Sequence, residues 1–119
     1  PGITKEFVQH TLNTPNLKAL IIETYGSGNA PTAPWFIDGL KESIEKGLII
    51  YNVTQCKSGS VEMGRYETSL DLNRIGVLSG HDITTESAIA KLMYLLGEGY
   101  PAEKVKELLQ IPIRGEITL

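Results

Sequence analysis

Two polar stretches hold most of the groups in this chain that could do chemistry. Tyr25-Gly26-Ser27-Gly28-Asn29 offers a phenol, a hydroxyl, a side-chain amide and backbone N–H groups freed by two glycines, and Thr54-Gln55-Cys56 adds a hydroxyl, a second amide and a thiol. Each follows a short apolar run, so both read as loops at the carboxyl ends of strands, where open α/β sheets bind ligands. Side by side, they make a small crevice rich in hydrogen-bonding groups and poor in charge. Such a surface suits a zwitterionic or amide-bearing small molecule better than a phosphate.

Other chemistries find less support. Gly26-x-Gly28 lacks the third glycine of a dinucleotide fingerprint, and Pro31 and Pro34 delay the helix that would receive a pyrophosphate. His10, His81 and Cys56 are scattered, and Asp71 and Asp82 add no metal-ligand spacing. Nothing near Cys56 supplies the base a nucleophile needs. His81-Asp82 reads as a helix N-terminus beside a solvated imidazole. The residues thus describe half a site, with binding groups but no activated nucleophile, base or oxyanion donor.

The elements that position these loops follow from apolar spacing. Leu17, Ala19, Leu20, Ile21 and Ile22 form a β-branched run expected to be a strand buried on both faces, and Leu48 to Val53 forms another. Between them Trp35, Phe36, Leu40 and Ile44 mark an amphipathic helix over 35–46 closed by Gly47. Strand, helix, strand implies a parallel crossover and an α/β class. Thr4 is the expected N-cap of a first helix facing inward through Phe7, Val8 and Leu12. Tyr66 to Arg74, with Leu70 and Leu72, reads as a helix capped by Gly76, and Val77-Leu78-Ser79 as a brief third strand. Asp82 or Thr84 caps a helix whose apolar run is Ala88, Ile89, Leu92, Met93, Leu95 and Leu96. Gly97 and Gly99 stop it. Pro101 opens a last helix at N1, with Val105, Leu108 and Leu109 inward, and Ile111 to Leu119 reads as an edge strand or a strap.

Composition bounds the answer. With 119 residues, 41% hydrophobic and 21% charged, the chain is one globular domain able to bury a core. Its net charge of -3, without any Lys/Arg cluster, argues against nucleic acid as a partner. A membrane span needs a run of about 18 apolar residues, and none occurs. The lone Cys56 permits no internal disulfide and points to a reducing compartment. The start at Pro1-Gly2-Ile3, without methionine, suggests a piece of something longer.

Several stretches, in order and over almost the whole chain, resemble one family. They are 25–31 (YGSGNAP), 52–61 (NVTQCKSGSV), 76–84 (GVLSGHDIT), Glu86, Ala88, Lys91-Leu92 and Arg114-Gly115-Glu116, and they look like the C-terminal domain of bacterial type I, cytoplasmic L-asparaginases. The resemblance implies a three-layer αβα fold with a small, mostly parallel sheet, Rossmann- or flavodoxin-like. It also implies hydrolysis of L-asparagine to L-aspartate and ammonia in the full-length protein, in the cytoplasm, without cofactor or metal. The family's nucleophilic threonine and its assisting groups lie in a larger N-terminal domain, so residues 1–119 are expected to hold no catalytic residue and to be inactive alone. Asn29 and Tyr66 match substrate-side residues that complete a neighbouring subunit's site in a dimer or tetramer. Ser69 stands near the place of a type II glutamate. Thr54 and Cys56 match an allosteric asparagine pocket found in some members. The family's first strand precedes Pro1; its absence would expose a strand edge and favour self-association. A reading from a different class is a stand-alone amino-acid-binding or regulatory module, and a third is a flavodoxin-like phosphate binder.

Overall fold

In the computed structural model, residues 3–24, 33–54 and 67–119 are described. Three strands, β1 (Ala19–Thr24), β2 (Ile49–Thr54) and β3 (Leu78–Ser79), form a parallel sheet in the order β1-β2-β3. The helices are α1 (Lys5–Leu12), α2 (Pro34–Glu45), α3 (Glu67–Ile75), α4 (Thr85–Gly97) and α5 (Ala102–Leu109). The alternation of β2 shows how they are layered. Ile49, Tyr51 and Val53 point into a core with Leu92 and Leu95 of α4 and Val105 and Leu109 of α5. Ile50 points the other way, into a core with Val8 of α1, Phe36 and Leu40 of α2 and Leu72 of α3. A strand apolar on both sides therefore lies at the centre of a three-layer αβα sandwich, as expected.

Entry into β2 and β3 is set by glycine. Gly47 and Gly76 follow α2 and α3 with φ of 104° and 103°, the left-handed region where a side chain is strained. In both turns an N–H beyond the glycine reaches back to the helix, Leu48 N to Ser43 O at 3.0 Å and Val77 N to Leu72 O at 3.1 Å. These Schellman closures turn each helix into the next strand. Thr4 and Thr84 cap α1 and α4 by accepting from Phe7 N and Ser87 N, both at 3.1 Å. No helix among the described residues is long and apolar enough to cross a membrane.

Some expectations change. β1 is covered on both faces but only half-buried, because among the described residues it pairs with β2 alone and its outer edge is open. Phe7 is 63% exposed and Leu70 is exposed, so α1 and α3 bury narrower faces than their apolar residues suggest. Pro101 occupies the N-cap of α5 rather than N1, its extended ψ of 152° placing it just outside the helix. The tail is a strap and not a strand. Its Ile117 is buried in the α4/α5 core, and Gly115, at φ 80°, turns the chain so that Glu116 folds back.

Candidate functional site

The first two strands end together. The parallel register runs from Ala19 opposite Ile49 to Thr24 opposite Thr54, so both strands release the chain at adjacent points on the carboxyl edge of the sheet. Beneath that edge is a buried polar bridge. Thr24 Oγ1 donates to Asn52 Oδ1 at 2.9 Å and lies 3.3 Å from the Val53 carbonyl, with both side chains fully buried. Asn52 stands opposite Ser79 in the next pairing, and its carbonyl accepts from Gly80 N at 2.8 Å. The third strand and its exit turn are thus fixed to the same level.

That exit turn is tight. A Cβ on Gly80 would stand 2.8 Å from Ile83 Cγ2 and 3.0 Å from the Asn52 carbonyl, so only glycine fits this approach. His81 follows at φ 54°, a strained conformation for its type, with its N–H held by Ser79 Oγ at 3.1 Å. Asp82 accepts from Thr118 N at 2.7 Å, and this N–H, ahead of a smaller contribution from His81, holds its carboxyl below the usual range. Asp82 therefore anchors the tail, and Thr84 is the residue that caps α4. Across the edge, Thr85 Oγ1 donates to Glu23 Oε1 at 2.7 Å and joins the start of α4 to the end of β1. The carboxyl edge is a rigid polar shelf assembled from all three strands and α4.

Of the residues expected to bind ligand, Asn29, Tyr66 and Cys56 lie outside the described residues, and so do Tyr25 to Gly28. Thr54 is the last residue of β2. Among the described residues no three His, Cys, Asp or Glu side chains cluster as metal ligands. Two described cavities lie elsewhere: one of about 590 Å³ lined by Lys18, Leu48 and Tyr100, at the amino ends of β1 and β2, and one of about 350 Å³ beside Lys91, Tyr94 and Glu116.

Two features escaped sequence reasoning. One is the Thr24–Asn52 bridge, which polar residues at the end of an apolar strand could have announced. The other is a buried ion pair between Lys91 and Glu116 that fastens the strap. Its signal was a lysine on the buried helical face shared by Ala88, Leu92 and Leu95.

A parallel sheet with helices on both faces and strands stopping in register at a polar edge has the ligand-binding layout of an open α/β domain. The chain belongs to the glutaminase/asparaginase C-terminal domain family, whose model matches residues 1–109. It is 41% identical over 118 residues to L-asparaginase 1 of Escherichia coli K12, covering 99% of this chain and 35% of that protein. It is 43% identical over 119 residues to the human 60 kDa lysophospholipase, covering 99% of this chain and 20% of that one. The crystal structure of L-asparaginase I from Vibrio cholerae superposes with a TM-score of 0.91 at 46% identity, over 100% of this chain and 36% of that structure. The chain therefore spans about a third or less of the length of these relatives.

Proposed function

We propose that this domain is part of an L-asparaginase, a cytoplasmic enzyme that hydrolyses L-asparagine to L-aspartate and ammonia. The domain acts as a wall of the active site, while the attacking chemistry belongs to an N-terminal domain. The observation that carries this reading is the in-register ending of β1 and β2 at Thr24 and Thr54, in a chain 41% identical to an asparaginase. From those points the sequence leads to Asn29 on one side and Cys56 on the other.

In this reading Asn29 and Tyr66 approach the substrate in a neighbouring subunit of a homo-oligomer. Thr54 and Cys56 border a second asparagine pocket that regulates turnover. The open edge of β1 receives a further strand from the chain preceding Pro1. No metal or cofactor enters the reaction, since amide hydrolysis needs only a nucleophile, proton transfer and an oxyanion stabiliser.

The test is steady-state ammonia release by the full-length protein. Asn29→Ala should lower kcat/KM by about tenfold or more, the effect of removing a positioned hydrogen bond at a reacting centre, with circular dichroism unchanged. Unaltered kinetics would take Asn29 out of the site. The 119-residue chain alone should release no ammonia, and enzyme-like turnover by it would overturn the division of labour.

A further inference from the structure

The hydrogen bonds at the carboxyl edge of the sheet close a ring. Thr24, the last residue of β1, donates to Asn52 Oδ1 in β2 at 2.9 Å, and the Asn52 carbonyl accepts from Gly80 N beyond β3 at 2.8 Å. From Gly80 the chain leads into α4, whose first residue, Thr85, donates to Glu23 Oε1 at 2.7 Å and so returns to β1 beside Thr24. Asn52 lies at the middle of this ring. It holds both neighbouring strands, β1 through its side chain and β3 through its carbonyl.

We infer that Asn52, with Thr24 as its donor, is a positioning residue for the hydrolytic site, fixing the points from which the chain leaves β1 and β3. The residue types are the first support. Ile49, Ile50, Tyr51 and Val53 around it make a buried, largely apolar strand. A hydrogen bond between two buried neutral groups adds little net stability over an apolar pair of the same shape; what it adds is direction. The second support is where the bond runs. In the register Thr24 stands opposite Thr54 and Asn52 opposite Ile22, so the bond crosses the pair diagonally and braces the last residue of β1 against splaying from β2. The third lies on the other side. β3 pairs with β2 only at Leu78 and Ser79, so the Gly80–Asn52 bond carries the pairing past the strand's end, at an approach too close for a Cβ. His81 follows at once with φ 54°. Strained backbone persists where its surroundings over-determine it, and it gathers at functional sites. Amide hydrolysis needs such fixed origins, because a misplacement of about 1 Å can cost on the order of a hundredfold in rate. Asn29 follows Thr24 by five positions, and Cys56 follows Asn52 by four.

The inference rests on the reading that this edge is a wall of an asparaginase site, and adds which buried residues set it. The experiment measures kcat/KM for asparagine in the full-length protein, with folding checked by circular dichroism. Thr24→Val keeps the volume and loses the donor, whereas Thr24→Ser keeps the donor and loses a methyl group. Positioning through the bond predicts a fall of about fivefold or more for Thr24→Val and activity within about twofold of wild type for Thr24→Ser. Packing alone predicts the reverse order. Asn52→Leu should fall as Thr24→Val does, and if it fails to fold the two Thr24 variants decide. Tyr51→Phe, which removes a hydrogen bond from the opposite face of the same strand, should leave the kinetics unchanged. In an Asn29→Ala background Thr24→Val should cost no more than about twofold further, because residues acting through one contact are not additive. Thr24→Val at wild-type activity, Thr24→Ser as slow as Thr24→Val, or full additivity with Asn29→Ala would each overturn the inference and leave the asparaginase reading standing. A wild type that releases no ammonia from asparagine, or a neutral Asn29→Ala, would overturn that reading and the inference with it.

Discussion

Nζ of Lys91 on α4 lies 2.6 Å from Oε2 of Glu116 in the C-terminal strap, and the two side chains are only 5% and 12% exposed. The same ammonium donates to the Ile111 carbonyl at 2.6 Å, while Glu116 accepts from Ile113 N and Arg114 N. Every strong donor and acceptor of this buried pair is thus engaged, and the strap is fixed over α4. Removing one partner leaves the other charge buried without its counter-ion, which costs on the order of 3–5 kcal/mol. Lys91→Met should therefore lower the urea midpoint by that equivalent in equilibrium unfolding. A midpoint within experimental error of wild type would mean that the strap is held by Ile117 and its apolar neighbours.

The same pair sets an acid limit. Burial pushes the Glu116 carboxyl up, but the Lys91 ammonium and the N–H groups of Arg114, Glu116 and Ile113 outweigh it and bring it from 4.5 down to about 2. A folded-state value below the unfolded one means stability that is fully present above about pH 4.5 and lost as pH falls towards about 2. A shift of this size corresponds to about 3 kcal/mol. Urea midpoints followed from about pH 6 to about 2.5 should fall in that window for wild type, and the slope should be clearly shallower for Glu116→Gln. Parallel profiles for the two proteins would assign the acid transition to other carboxylates.

At the carboxyl edge of the sheet, Thr24 gives its proton to Asn52 in a site without solvent. Thr24→Val keeps the shape and removes the hydroxyl, so a buried acceptor loses a donor, at a cost of about 1–3 kcal/mol. Chemical denaturation should register that loss, and in the full-length protein ammonia release should fall as well, because the ends of β1 and β2 loosen. A variant as stable as wild type would show that Asn52 finds an equivalent donor.

The architecture was legible wherever burial follows a period. Apolar alternation in β2, the 3.6-residue spacing in α2 and α4, threonine caps and glycine stops all gave the correct element, within about two residues at its ends. The burial of β1 was overestimated because composition reports what a strand could bury and not how many neighbours flank it. Phe7 and Met93 were misleading in the same way, since an apolar residue on a helix gives no sign of whether its partner is in the same chain. Lys91 and Glu116 lie 25 positions apart and meet only through the tertiary fold. Of the site itself, the in-register strand ends were foreseeable from the strand-helix-strand pattern. Asn29 and Cys56 stood out by residue type, whereas Tyr66 and the roles of all three came only through resemblance to a family, and the three lie outside the described residues.

Two glycines should answer alanine oppositely. On Gly80 a methyl would collide with Ile83 and the Asn52 carbonyl, neither of which can move without disturbing the strand ends. Gly80→Ala should cost at least about 2 kcal/mol through overpacking. On Gly39, inside α2, the nearest atom is Leu12 Cδ1 at an ordinary 3.5 Å. Gly39→Ala should stabilise by about 0.5–1 kcal/mol, since the helix gains propensity and the unfolded chain loses freedom. Thermal unfolding of both variants checks the pair, and a neutral Gly80→Ala would show that the turn after β3 has room to shift.

Tyr51 offers a spectroscopic handle on the same core. Its ring is fully buried between β2 and the outer helices, and its hydroxyl donates to the Leu109 carbonyl at 2.7 Å, joining the sheet to the end of α5. Burial first, and the negative charge of Glu116 second, push the phenol well above its ordinary value of 10. The sign is opposite to that of Glu116: the folded state favours the neutral form, so the stabilisation holds below about pH 10 and is lost as pH rises beyond it. Tyr51 should stay protonated in an alkaline absorbance titration until the protein unfolds. Tyr51→Phe should remove that late component and cost about 1 kcal/mol, the net worth of one buried hydrogen bond. If the late component persists in the variant, the resistant phenol belongs to another tyrosine and the link between β2 and α5 is carried by packing alone.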